Sequence, residues 1–255
     1  MRKIILGILL MVAMFCCFVY SIETHAAENP INESFKNSFK VEMWGVKGKA
    51  SGSAFAIKGL DGYLITNRHV VKGFDIIRVI AVDGKKYLMT VELISDVSDL
   101  AILKFGADKP KLSGLEICNN SNVSLGHPVY TVGHPRGQLF IFNTGFVASF
   151  KRTLNGINGN KKLITTNLST IAGGMSGSSL IDAKKHCVVG VVVAKTKDTN
   201  LAYSIEVEQL QTFLNGYKYS IKNYIKGRIE MALFMVENYK KADNYIKEKI
   251  KEYNS

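Results

Sequence analysis

Three short stretches of the chain hold residue types that could cooperate in nucleophilic catalysis. His69 stands in Leu64-Ile65-Thr66-Asn67-Arg68-His69-Val70-Val71, where an apolar run ends in a polar turn. Asp99 stands in Ser98-Asp99-Leu100-Ala101-Ile102-Leu103, directly ahead of another apolar run, with Asp96 a rival three residues earlier. Ser176 stands in Gly173-Gly174-Met175-Ser176-Gly177-Ser178, where small residues allow a sharp turn and a close backbone approach. A serine hydroxyl attacks an amide when a neutral imidazole takes its proton. A buried carboxylate holds that imidazole in the right tautomer, and backbone N–H groups stabilise the oxyanion that forms. Each stretch alone also suits an ordinary turn. The three together, in this order and in these contexts, point to hydrolysis by an activated serine.

Such groups must be carried by a scaffold. From about Phe39 to Val207 the sequence alternates short β-rich runs with turns. Examples are Phe39–Met43, Gly62–Thr66, Ile76–Ile80, Tyr87–Val91, Ala101–Phe105, Val129–Val132, Phe140–Phe142, Lys162–Thr166, Val188–Ala194 and Leu201–Ile205. They are rich in β-branched and aromatic residues, and most are bounded by Gly, Pro, Asn or Asp. Ten to twelve short strands without long helices between them predict an all-β barrel or sandwich. Composition shifts after Gly216. Ile225, Ile229, Ala232, Val236, Tyr239, Ile246, Ile250 and Tyr253 follow an alternating three-and-four spacing, broken at Asp243. That spacing predicts an amphipathic helix over 216–255. It would pack on the barrel or on a second copy, or lie on a membrane surface with its Lys and Arg residues on the other face.

The N-terminus reads as an export signal. Arg2 and Lys3 precede a run from Ile4 to Tyr20 that is apolar or nearly so, and Ala26-Ala27 follow a polar stretch. This is the order of a secretory signal peptide over 1–27, cut near Ala26 or Ala27. The run also touches the lower limit of ~17–25 residues for a membrane anchor. Either way the body of the chain is expected outside the cytosol, secreted or periplasmic. Residues 28–37 are polar and are expected to be loose. Cys16 and Cys17 fall in the signal, leaving Cys118 and Cys187 as one disulfide or as two separate thiols.

The chain has 47% hydrophobic and 21% charged residues, a globular composition. Its net charge of +12 is spread along the sequence. No basic stripe with interleaved aromatics is present, so nucleic acid is not an expected partner. His127 and His134 each stand in a Gly-His-Pro turn without a clustered third ligand, and no metal or other cofactor is expected.

The chain resembles the trypsin-like serine proteases, most closely their HtrA/Deg branch, from about Gly52 to Leu214. Gly52-Ser53-Ala54-Phe55 with Leu64–Val71 resembles the family's first-barrel hairpin and histidine turn, and Ser98–Leu103 its aspartate strand. Gly126–Val129, Val132–Gly137 and Thr144–Ser149 resemble the start of the second barrel. Gly174–Gly177 resembles the nucleophile loop, and Ser204–Leu214 the closing strand and helix. The resemblance implies two six-stranded antiparallel β-barrels over 38–215, followed by the C-terminal helix. It implies a hydrolase, a serine endopeptidase acting on polypeptides, with Ser176 as nucleophile, His69 as general base and Asp99 as its orienter. The N–H groups of Gly174 and Ser176 would form the oxyanion hole. Thr170 would stand near the floor of the specificity pocket, with Val191, Val192, Val193 and Ala194 as one wall. No acid lies near Thr170, so a small or medium apolar side chain before the cut is the expectation. Met175, Ser178 and Ser179 depart from the family pattern, which bears on the loop's geometry. The 40 residues over 216–255 are short for a PDZ-like domain. The competing readings are an inactive scaffold of the same fold and a surface-binding protein.

Overall fold

The structure is a computed structural model, which describes residues 29–46, 48–120, 122–152, 163–195 and 201–253. The expected signal peptide lies outside the described residues.

Twelve strands close into two antiparallel barrels. The first holds β1 (Ser38–Gly45), β2 (Gly48–Phe55), β3 (Tyr63–Thr66), β4 (Ile76–Ile80), β5 (Lys86–Ile94) and β6 (Ala101–Phe105) in the order β1-β2-β3-β6-β5-β4. The second holds β7 (Pro128–Gly133), β8 (Ile141–Arg152), β9 (Leu163–Leu168), β10 (Ser179–Asp182), β11 (Val188–Lys195) and β12 (Leu201–Glu206). Read from β7 its order is β7-β8-β9-β12-β11-β10, so the two halves share one topology. This matches the expected double barrel. The sequence pattern missed β10, a four-residue strand directly after the Ser176 turn, and the polar first half of β2.

Strand alternation sorts the side chains. Leu64 on β3 points into the first barrel with Phe39, Val41, Val79 and Leu103, while its neighbour Ile65 faces outward. Ile65 joins Phe55, Ile102, Tyr130, Ile181 and Val191 in a core shared by both barrels. The second barrel has its own interior around Val129, Ile164, Leu168, Leu180 and Val192. The shared core fixes the two barrels against each other, and across their seam the Ser176 loop meets β2 of the first barrel, where the N–H of Ser53 donates to the Ser176 carbonyl.

Of the segment 28–37, expected to be loose, residues 29–37 are ordered. Pro30–Lys36 forms helix α1. Asn29 Oδ1 accepts from the N–H of Ile31 at 3.0 Å, and Pro30 starts the first turn without losing a hydrogen bond. The Ser34 hydroxyl is buried 3.0 Å from the Tyr130 hydroxyl, tying α1 to the second barrel. The Asn-Pro pair was the local signal, and polarity outweighed it.

Arg68–Val71 forms the short helix α2, and Val207–Tyr253 forms α3, a helix of 47 residues. The expected boundary at 215/216 falls inside α3, which begins ten residues before the compositional shift. Leu210, Leu214 and Tyr217 are buried at helical spacing against the shared core, and Val207 at the start of the helix is buried as well. Cys118 and Cys187 are joined in a disulfide with their Cα atoms 5.1 Å apart, which resolves the two alternatives left by the sequence.

Candidate active site

Register explains the first meeting. β3 pairs with β6 antiparallel, with Thr66 opposite Ala101. The residues just after β3 therefore stand beside those just before β6. This puts α2 against the Ser95–Asp99 loop. Asn67 Nδ2 donates to the Asp99 carbonyl at 2.8 Å, and Arg68 Nη1 to the Ser95 carbonyl at 3.0 Å. His69 Nδ1 then lies 2.5 Å from Asp99 Oδ2, and the His69 backbone N–H donates to Asp99 Oδ1 at 2.8 Å. Asp99 is 5% exposed, whereas the rival Asp96 faces solvent. A carboxylate only accepts, so Nδ1 carries a proton, and in the neutral imidazole the lone pair is on Nε2.

The Ser176 loop runs from Leu168 to Ser179 and is clamped from the first barrel. The N–H of Ser53 donates to the Ser176 carbonyl at 2.8 Å, and the N–H of Gly177 to the Val192 carbonyl at 2.8 Å. Gly177 has φ +88°, and a Cβ there would lie 2.0 Å from the Ser53 carbonyl oxygen. Gly174 has φ +99°, and its Cβ would lie 2.4 Å from the His134 carbonyl oxygen. Only glycine fits either position.

Four successive carbonyls of this loop are held. Arg136 N–H donates to Gly173 O at 2.7 Å, Ser53 Oγ to Gly174 O at 2.8 Å, Ser178 N–H to Met175 O at 3.1 Å, and Ser53 N–H to Ser176 O. The N–H groups of Gly174 and Ser176 have no acceptor among the described residues. Ser178, a departure from the family pattern, fits without distortion. It is buried, and its hydroxyl donates to Met175 O at 2.7 Å.

The third member points elsewhere. Ser176 Oγ donates to the Val193 carbonyl at 2.8 Å, so it makes no hydrogen bond to His69. The serine loop and the histidine helix both pack against β2: a Cβ on Gly52 would lie 2.6 Å from the side chain of Val70, the residue after His69, and 3.4 Å from the Ser176 carbonyl oxygen. The Val193 carbonyl is available because β11 bulges between Val192 and Ala194, slipping its register against β12. The side chains of Val191, Val192 and Val193 are buried in the cores, so at the site these residues offer backbone rather than a side-chain wall. Ala194 pairs with Tyr203 on β12. Thr170 is exposed just after β9.

The two Gly-His-Pro histidines take protein partners. His127 Nε2 lies 3.0 Å from Asp182 Oδ1, a close pair without the alignment of a hydrogen bond. Burial raises the Asp182 carboxyl, but His127 and the N–H groups of Lys184 and Lys185 outweigh it and hold the carboxyl below its usual range. His134 is fully buried, with Nδ1 3.0 Å from Ser53 Oγ. Burial, and then the charge of Lys40, push its pKa down to about 3. Sequence reasoning missed Ser53 as a site residue. Its signal was a polar side chain in the otherwise small and apolar run Gly52–Phe55.

Two barrels of one topology, with a histidine–aspartate pair on one and a glycine-bounded serine on the other, define the chymotrypsin-like class of fold. A family model described as a trypsin-like peptidase domain matches residues 52–191, and the chain belongs to that family. It is 25% identical over 193 residues to the serine protease Do-like HtrA of Lactobacillus helveticus, covering 72% of this chain and 45% of that protein. It is 29% identical over 161 residues to the serine protease Do-like HtrA of Lactococcus lactis subsp. cremoris, covering 60% and 39%. The chain thus spans less than half the length of these curated relatives. In fold it is similar to the HtrA-type protease AlgW solved with a tripeptide, with TM-score 0.65 and 23% identity over 73% of this chain and 61% of that one.

Proposed function

We propose that the chain is an exported serine endopeptidase in which Ser176 is the nucleophile, His69 the general base and then acid, and Asp99 the orienting carboxylate. The observation that carries this reading is the His69–Asp99 pair. Asp99 binds both the backbone N–H and the ring Nδ1 of the same histidine, which fixes its tautomer and leaves Nε2 as a base. The reaction begins with rotation of Ser176 about χ1, away from the Val193 carbonyl and toward Nε2. The hydroxyl attacks the scissile carbonyl as His69 takes its proton. The N–H groups of Gly174 and Ser176 receive the oxyanion, and His69 then protonates the leaving amine. Water cleaves the acyl-enzyme by the same steps in reverse. The backbone of the bulged end of β11 is the platform for an extended substrate. Thr170 and Ala194 lie beside the side chain that precedes the cut, and the absence of a nearby acid favours a small or medium apolar one. Export is supported by the N-terminal sequence and by the Cys118–Cys187 disulfide, which persists in oxidising compartments.

Beyond catalysis, the reading assigns a contact role to α3 past Tyr217. Ile221, Ile225, Ile229 and Val236 are exposed there, and residues 218–255 carry nine Lys or Arg against five Asp or Glu. That composition suits an anionic membrane surface.

The Ser176 hydroxyl on Val193 favours a second reading, an inactive scaffold. A fluorophosphonate probe separates the two. Wild type is expected to label and Ser176→Ala not to, with turnover of a peptide library falling ~10⁴–10⁶-fold in the variant and its fold intact. Absence of Ser176-dependent labelling establishes the scaffold.

A further inference from the structure

Ser53 is fully buried, and all of its polar atoms point at the site. Its N–H donates to Ser176 O, its carbonyl accepts from Thr66 Oγ1 at 2.7 Å, and its Oγ lies between Gly174 O at 2.8 Å and His134 Nδ1 at 3.0 Å. The directions of these bonds follow from elementary inventory. A carbonyl only accepts, so the single Ser53 hydroxyl proton goes to Gly174 O. The remaining Ser53 lone pairs then accept from His134, whose Nδ1 must carry the proton. The buried, uncharged state of His134 agrees with this tautomer. The chain runs His134 Nδ1–H to Ser53 Oγ–H to Gly174 O, wholly out of water, where each bond polarises the next.

We infer that Ser53, oriented by His134, is a positioning residue for the oxyanion-binding loop. Ser53 holds the carbonyls on both sides of Met175, Gly174 O through its hydroxyl and Ser176 O through its N–H. With the Arg136 N–H on Gly173 O, the peptide planes around the nucleophile cannot turn over. The N–H of Gly174 shares its peptide with Gly173 O, held by Arg136, and the N–H of Ser176 shares its peptide with Met175 O, held by Ser178; Ser53 fixes the next peptide after each, so both N–H groups stay free for a developing oxyanion. Ser53 is also the neighbour of Gly52, which packs on Val70 of the histidine helix. One residue of β2 thus registers the serine loop of the second barrel against the histidine of the first. The hydroxyl touches neither substrate nor reacting atoms and acts only through Gly174.

This inference rests on the protease reading. Ser53→Ala removes the hydroxyl but keeps the N–H bond to Ser176, so it is the informative variant. Turnover of a peptide ester is measured with kcat and KM separated. Inhibition by a peptide aldehyde, which forms a tetrahedral adduct and needs the oxyanion site, is compared with inhibition by the cleaved product. The expected result is a ~10- to 100-fold fall in kcat with KM within about twofold. Aldehyde affinity is expected to fall in parallel, with product affinity unchanged. His134→Phe fills the same space without a donor and is expected to act in the same direction, which provides a second route if Ser53→Ala folds poorly. Thermal melting of both variants checks that they are folded. Unchanged kcat and aldehyde affinity in folded variants, with wild type active, overturn the inference alone. Wild type that neither labels with fluorophosphonate nor turns over overturns the protease reading and this positioning role with it.

Discussion

At Gly177 the fold leaves no room for a side chain. Its φ of +88° is one that residues with a Cβ rarely adopt, and the added carbon would meet the Ser53 carbonyl at 2.0 Å and Thr66 Oγ1 at 2.4 Å. Both atoms belong to the first barrel, so relief would require the barrels to shift against each other. Gly177→Ala is therefore expected to cost about 2–4 kcal/mol, combining backbone strain with overpacking. Urea denaturation followed by near-UV circular dichroism measures it. A midpoint within error of wild type would show that the loop can relax locally. Ser178 is the opposite case. It is a side chain in a tight loop, but its hydroxyl finds Met175 O, and Thr131 Oγ1 lies 3.1 Å away.

Among the elements, α3 divides sharply. Its first three turns are structural. Val207, Leu210, Leu214 and Tyr217 are buried, and the Tyr217 phenol donates to Glu92 Oε1 at 2.9 Å with its ring edge-on to Tyr63. Burial, Tyr63 and Glu92 all raise the phenol's pKa, which keeps it a donor. Beyond Tyr217 the apolar face continues without a cover among the described residues: Ile221, Ile225, Ile229, Leu233 and Val236 are all exposed. The whole helix would reach about 70 Å at 1.5 Å per residue, well past the barrel. Truncation after Ser220 keeps every buried anchor. It is expected to leave kcat/KM on peptides within twofold of wild type and to abolish co-sedimentation with vesicles containing anionic lipid. Retained vesicle binding would place the membrane contact elsewhere.

For the molecule as a whole, the seam between barrels makes stability depend on acidity. His134 is buried and uncharged, with its pKa lowered from 6.5 to about 3 by burial and by Lys40. In the unfolded chain the same imidazole takes up a proton near pH 6.5. Its folded pKa is the lower one, so the unfolded state binds more protons between about pH 6.5 and 3. Stability is then full above that window and falls as pH drops through it. Between pH 7.5 and 5 the loss from this group is about 2 kcal/mol. Asp182, also held below its usual range, adds a further loss at lower pH. Chemical denaturation across this range is expected to show the decline, and His134→Asn to flatten its upper part. Equal slopes in the two proteins would mean that His134 does not control it.

The sequence alone carried whatever depends on local pattern. Strand rhythm, the order of His69, Asp99 and Ser176, and the amphipathic tail are all set by neighbours within a few residues. So an all-β fold and the stretches that hold the candidate residues could be read directly, while the choice of two six-stranded barrels over a single barrel or a sandwich came from the family resemblance. Helix α1 was written locally too, in Asn29-Pro30, but composition masked it. The rest was decided by tertiary contact, because a hydrogen bond is settled by which distant group arrives opposite it. The union of Cys118 with Cys187, the relay from His134 through Ser53 to Gly174, and the bulge that exposes the Val193 carbonyl all join residues from separate strands or loops. Where Ser176 aims its hydroxyl belongs with them: the turn places the oxygen, and its acceptor comes from β11, seventeen residues further along the chain.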